Sequence, residues 1–219
     1  MESFLTILAQ YGPRLASGLC WTFGMWLAGA ILAVVVGLGI TLLQMAGIRP
    51  LNWLCRSYIA VIRGTPFLIQ LFLLYYAAPS IGIRFDAVTV GVLGLGIYGS
   101  AYFAEIFRAG FVGIPVGHTE AARVLGFSRR QIFLRINLPQ MVTNVVPATF
   151  NQLIILLKES SILSIITIPE LTTVASGISS ETFKVTAPYL AMALLYWILV
   201  QAVAQVGQLA EKRTTGYLR

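Results

Sequence analysis

Between Arg14 and Arg49 the chain carries no charged side chain, and further apolar runs follow it down the sequence. Only 11% of the 219 residues are charged and 58% are hydrophobic, where a soluble domain carries about a quarter charged. A hydrocarbon core about 30 Å thick takes ~20 residues of helix, and inside it every backbone N–H and C=O needs a partner within the chain. The charge-free runs therefore predict an all-α integral membrane chain of one domain. Its five transmembrane helices are expected over about 19–44, 58–79, 87–107, 138–158 and 186–208. A sixth apolar piece, 162–169, is too short to cross and reads as re-entrant or interfacial.

The cations orient this arrangement. Five spans put the termini on opposite sides, and the 15 Lys and Arg then divide as 11 against 4. Arg49, Arg56, Arg63, Arg108, Arg123, Arg129, Arg130, Arg135, Lys212, Arg213 and Arg219 share one side; Arg14, Arg84, Lys158 and Lys184 share the other. The richer side should be cytoplasmic, so the N-terminus is expected outside and the C-terminus inside. The same rule explains the net charge of +7, and no nucleic-acid partner is implied. Cys20 and Cys55 fall at opposite ends of the first span, out of reach of a disulfide. Met1-Glu2-Ser3 lacks the basic start of a cleavable signal.

Two packing signals stand out. Gly29, Ala33, Gly37 and Thr41 recur every four residues in the first span, and such a stripe lets a neighbouring helix approach closely. Arg63-Gly64-Thr65-Pro66 reads as a helix start, with Thr65 capping and Pro66 in the first helical position.

The longest polar interval holds Glu120-Ala121-Ala122-Arg123, then Gly126, then Ile136-Asn137-Leu138-Pro139. It predicts a short helix over about 119–127, with Thr119 as cap, Glu120 in the first turn and Gly126 allowing a sharp exit. The small Ala121 and Ala122 would let another protein come near. His118 is expected in the loop before it. In the fourth span Asn137, Gln140, Asn144, Asn151 and Lys158 fall on one helical face, which must meet protein or water. That face either lines a solute pathway or hydrogen-bonds to neighbouring helices. Glu105 lies on a face with Tyr98 and either pairs with Arg108 or serves a solute; Lys158 either snorkels to headgroups or serves one. No nucleophile–base pair, metal-ligand cluster or phosphate-binding glycine loop is present in the sequence, so no catalytic or metal site is expected.

Glu120-Ala121-Ala122, three residues, Gly126, nine residues and Ile136-x-Leu138-Pro139 together resemble the loop signature of permease subunits of ABC importers. Arg63-Gly64-Thr65-Pro66 with Gln70-Leu71, the stretch from Ser100 to Arg108, and Leu156-Leu157-Lys158-Glu159-Ser160-Ser161 are similar to the polar amino-acid branch, the HisM/HisQ-like permeases. The resemblance runs over 18–209. It implies the type I (MetI-like) fold, a coupling helix carrying Glu120, Ala121, Ala122, Arg123 and Gly126, and alternating access. It also implies a cytoplasmic ATPase dimer that binds the ATP and Mg, a second permease subunit (identical or homologous), and an extracytoplasmic amino-acid-binding protein. The location implied is the cytoplasmic (inner) membrane of a bacterium, among membrane lipid. From the residues themselves, a solute is expected to pass near Glu105, Lys158, Asn151, Asn144 and Tyr98, with Glu105 and Lys158 offering opposite charges to a zwitterion. Gln140 departs from the small residue common in the family, and Glu159-Ser160-Ser161 stands where Asp-Thr-Ser is usual. A secondary transporter or channel would usually need more spans or an internal repeat. A scaffold would leave Glu105, Lys158 and the amide face without a purpose.

Overall fold

The computed structural model describes residues 2–215; Met1 and 216–219, which include Arg219 of the cation division, lie outside the described residues. Among the described residues every regular element is helical. In chain order they are α1 (Glu2–Met45), α2 (Arg49–Gly64), α3 (Phe67–Phe72), α4 (Ala87–Val112), α5 (Val116–Val124), α6 (Arg129–Ile132), α7 (Leu138–Glu159), α8 (Leu171–Thr182) and α9 (Thr186–Thr215). Among the described residues four helices are long and apolar enough to cross a membrane, and α2 with the stretch Phe67–Ile81 forms a pair bent by 105° that brings the number to five where it counts as one span.

The small-residue stripe of α1 finds its neighbour in α4. A Cβ on Gly29 would stand 2.5 Å from Leu95 Cβ, and one on Gly37 would stand 2.7 Å from Phe103 Cβ and 3.0 Å from the Ser100 carbonyl. Ala33 is fully buried against the Gly99 position. Thr41, whose hydroxyl donates to the carbonyls of Gly37 and Ala104 at 3.0 Å, ties the two helices at the end of the seam. On its other side α4 packs on α7, where Gly110 meets Val145 and Met141. Trp26 reaches across from α1 to donate to the Leu153 carbonyl of α7 at 2.9 Å.

Three departures from the sequence reading have identifiable causes. The first helix begins at Glu2 rather than near 19. Its N-terminal half buries Ile7 and Leu15 against Leu171, Ile178, Ala187 and Ala191, and Arg14 pairs with Glu181 of α8 at 2.7 Å. That guanidinium holds the Glu181 carboxyl below the usual carboxylate range.

The run 58–79 is not one helix. Pro66 has no N–H to continue α2, so the chain breaks there, and Pro66 is the cap of α3 rather than its first helical residue. Thr65 does not cap α3: its hydroxyl donates back to the Val61 carbonyl. The carbonyls orphaned by the break are taken by one side chain. Gln70 Nε2 donates to the Ile62 and Thr65 carbonyls at 2.8 and 3.1 Å and to Thr65 Oγ1 at 2.9 Å.

The fourth span, expected over about 138–158, is longer: α7 has Pro139 in its first turn, but the helical run continues N-terminal of it. The helix begins at Arg129, where Ser128 and Gln131 form a reciprocal capping box, and runs to Ile166. A π-turn at Phe133–Asn137 lies just before Pro139, widening the helix where the proline ring would otherwise crowd the carbonyl four residues back. The helix continues through Pro147. After a 3₁₀ turn over Ser160–Ile166 the chain reverses at Thr167 (φ 63°), and α8 folds back onto α1 and α9. The piece expected to be too short to cross is this reversal.

Replacing Gly37 by Ala should overpack the α1–α4 seam, because its nearest neighbours include backbone atoms that cannot swing away. We expect a loss of about 1–3 kcal/mol in stability. Gly39→Ala, which faces open space, should cost nothing. Thermal unfolding of both variants in detergent checks this.

Candidate coupling helix and solute cavities

α5 is stapled to the start of the α7 rod by two side-chain hydrogen bonds. His118 Nδ1 donates to Gln140 Oε1 at 2.7 Å, and the Thr119 hydroxyl donates to Asn137 Oδ1 at 3.3 Å. Gln140 Nε2 in turn donates to the Ile136 carbonyl at 3.0 Å. His118 is therefore a helix residue, not a loop residue, and Thr119 is not the cap. The helix starts three residues earlier, after Pro115, whose extended backbone holds the N-terminus without a side-chain cap. Glu120 consequently lies beyond the first turn.

The other end of α5 conforms to the expectation for Gly126. It adopts φ 77°, its N–H donates to the Arg123 carbonyl, and the Phe127 N–H donates to the Ala122 carbonyl. These bonds satisfy the last carbonyls of the helix and need a residue without Cβ at the left-handed position. Within α5 Ala122 is buried, while Glu120, Ala121 and Arg123 are exposed. Val116, Val124 and Leu125 are also exposed, so a small apolar face rimmed by Glu120 and Arg123 is free to meet another surface.

The polar face of α7 opens into two separate cavities. One, of 540 Å³, is lined by Glu105, Asn144, Gln152, Arg63 and Tyr102, among others. The second, of 480 Å³, is lined by Lys158, Ser161, Thr172, Tyr196 and Trp197 with apolar neighbours. Glu105 and Lys158 thus do not meet within one chain. Asn144 and Lys158 are 14 residues apart on α7, roughly 21 Å at 1.5 Å per residue. Asn151 lies between them and is exposed.

Glu105 is paired: Arg108 Nε and Nη2 donate to its two oxygens at 2.9 and 2.8 Å. Asn144 Nδ2 donates to the Gly110 carbonyl at 3.4 Å. Tyr98 is buried, its ring against Phe67 and Tyr102, and it lines neither cavity. At the α5 end Thr214 of α9 shares a third cavity with Gly113, Pro115 and Gln140, so the C-terminal end of α9 and α5 occupy the same end of the bundle.

Residues 45–216 match the family of binding-protein-dependent transport system inner membrane components. The chain belongs to that family. This permease is 35% identical over 206 residues to the probable amino-acid ABC transporter permease protein YckA of Bacillus subtilis (strain 168), covering 94% of this chain and 91% of the relative. It is 31% identical to the arginine transport system permease protein ArtQ of the same organism, covering 92% of each chain. Among solved structures, the crystal structure of an amino acid ABC transporter with histidines is 38% identical with a TM-score of 0.90, covering 96% of this chain and 98% of that one. The inward-facing MetNI methionine ABC transporter, 21% identical with a TM-score of 0.77 over 92% of this chain and 96% of that one, shares the fold. The permease is accordingly a multi-pass membrane subunit of an ABC importer with the MetI-like all-α architecture.

One functional-looking residue of the permease escaped the sequence reading. Glu170 is fully buried, with no cation at salt-bridge distance among the described residues. Its Oε1 accepts from the Thr173 N–H at 2.9 Å, capping α8, and its Oε2 accepts from the Tyr196 hydroxyl of α9 at 3.0 Å. Thr22 of α1 accepts from the neighbouring Leu171 N–H at 3.1 Å. The start of α8 is therefore pinned to both α1 and α9 by buried polar contacts. Glu is not among the side chains that ordinarily cap helices, so residue type alone does not flag this position; the cap depends on the fold. Glu170→Leu should cost about 1–3 kcal/mol by stripping the cap and stranding the Tyr196 hydroxyl. Glu170→Gln keeps an acceptor for Thr173 and should cost less. Thermal melts of the two variants in one detergent test the order.

Proposed function

We propose that this permease carries a polar amino acid across the cytoplasmic membrane of a bacterium, driven by ATP hydrolysis in a separate ATPase dimer that holds the ATP and Mg. A second permease subunit, identical or homologous, completes the pathway, and an extracytoplasmic binding protein delivers the solute. The names of the relatives, the probable amino-acid permease and the arginine permease, support the amino-acid class. The division of cations supports an N-terminus outside and a cytoplasmic C-terminus with α5 on the ATP side.

The observation that carries the mechanism is mechanical continuity. The exposed face of α5 is hydrogen-bonded at His118 and Thr119 to Gln140 and Asn137, at the root of a helix that runs unbroken from Arg129 to Ile166. In this reading Glu120, Ala121, Ala122, Arg123 and Gly126 form the coupling helix that seats in the ATPase. Closure of the ATPases draws the two coupling helices together, and each α7 carries the displacement to the Lys158 cavity. There Lys158 offers the solute a cation in a mostly apolar cavity, while Asn144, Asn151, Glu105 and Tyr98 belong to the remainder of the pathway.

Gly126→Trp should abolish solute-stimulated ATPase in the reconstituted complex while membrane insertion persists, because the left-handed exit and the docking face are both lost. Full stimulation in that variant would sink the coupling assignment. Lys158→Met should weaken the apparent affinity for solute by about tenfold or more, the worth of one charge-assisted contact. Uptake into vesicles over a range of solute concentrations reads it, and an unchanged half-saturation would count against a solute role.

A further inference from the structure

Arg63 is the last of three arginines at steps of seven along α2, after Arg49 and Arg56. Its guanidinium lies 5.3 Å over the ring of Tyr102, which steers it into the 540 Å³ cavity between α2, α4 and α7. The carboxylate in that cavity, Glu105, already accepts from Arg108 with both oxygens. No carboxylate stands within salt-bridge distance of Arg63 among the described residues. Arg63 acts on the charge of Glu105 from a distance, but the oxygens of that carboxylate are taken up by Arg108, and among the described residues no donor of Arg63 is spent on a carboxylate. A second, independent group points the same way. Gln152 lines the cavity, is 5% exposed, and its Nε2 has no hydrogen-bond partner in the protein. A buried donor left without an acceptor costs about 1–3 kcal/mol, so it marks a place where an acceptor from outside the chain is worth having. Opposite these groups Ala109, Gly110 and Gly113 leave the wall without bulk.

We propose that this cavity is a carboxylate-binding station for the transported solute, at the α5 end of the bundle and distinct from the Lys158 cavity. Arg63 takes the carboxylate, and Gln152 Nε2 donates to a further acceptor of the same molecule. The two cavities share no lining residue. A solute crossing the bundle therefore meets one cation near each end of α7, first Lys158 and then Arg63, with Asn151 between. The proposal rests on the amino-acid reading, and it extends that reading to a second binding position with its own cation.

The test uses the complete transport complex carrying Cys20→Ser and Cys55→Ser, with either Ala148→Cys in this cavity or Thr172→Cys in the other. The rate of N-ethylmaleimide labelling is measured with and without a millimolar mixture of the common L-amino acids, and with their α-carboxamides, which lack the carboxylate. Amino acids should slow labelling at position 148 and the carboxamides should not. Adding Arg63→Gln should raise the protecting concentration at 148 by about tenfold or more, the value of one charge-assisted hydrogen bond, while protection at 172 stays. Arg63→Lys should retain part of the protection. Persistence of protection at 172 shows that the Arg63 variant is folded and still binds solute. Equal protection at 148 with Arg63→Gln, equal protection by the carboxamides, or protection at 172 alone overturns the station. Protection at neither position by any amino acid overturns the amino-acid reading itself.

Discussion

Hydrocarbon offers nothing to a polar group, and most of this architecture answers that constraint. At several places where the helical ladder is interrupted or a polar side chain is buried, a specific partner answers it, Gln152 Nε2 being one exception. Gln70 collects the carbonyls released at Pro66. Thr41 spends its hydroxyl on α1 and α4 together. Glu170 caps α8 and holds Tyr196. With no hydrophobic drive between helices in lipid, close packing has to supply the cohesion, and the α1–α4 seam does so by removing side chains where the backbones meet. These contacts make the bundle a set of rigid bodies, which a machine driven from one end requires.

The rigid body of greatest consequence is the helix from Arg129 to Ile166. Its lower end is hydrogen-bonded to α5, and its upper end carries Lys158 and turns into α8. The π-turn before Pro139 preserves continuity where a proline would ordinarily end a helix, so displacement of α5 cannot be absorbed at that joint without breaking the Asn137 and Gln140 contacts. Glu170 and Thr22 then fix α8 to α9 and α1, so whatever moves the upper end of α7 also moves the walls of the Lys158 cavity.

How much of this was legible beforehand depended on whether the cause was local. The apolar runs, the stripe ending at Thr41 and the glycine exit at 126 each express a local rule, and each reads directly from residue type and spacing. The early start of α1 does not: its N-terminal half is covered by α8 and α9, and Arg14, half exposed, pairs with Glu181, 167 positions later. A helix start at Pro66 was legible to within one residue, but not that the same proline breaks the 58–79 run, since the partner that satisfies the broken end, Gln70, lies beyond the break. Glu105 and Lys158 looked like two halves of one charged site; the structure sets them in different cavities, a separation along α7 that helical periodicity alone does not reveal. Arg63, by contrast, was read as a topology signal and as part of the Arg63–Pro66 motif, and only the structure places it with Tyr102 and Gln152 around one cavity.

The central claim is that the helical run from Arg129 to Ile166, with α7 as its middle, is a rigid lever, and spin labels at its two ends test it most directly. With Arg129→Cys and Ile165→Cys labelled in one permease copy of the complete complex, the distance between labels should be roughly 54 Å at 1.5 Å per residue. We predict that this distance is the same with and without a trapped ATP analogue, while the distances between copies change at both ends. A change of about one helical turn (roughly 5 Å) within a single copy, with only the Arg129 ends moving between copies, would show that α7 yields in its middle and would contradict the account.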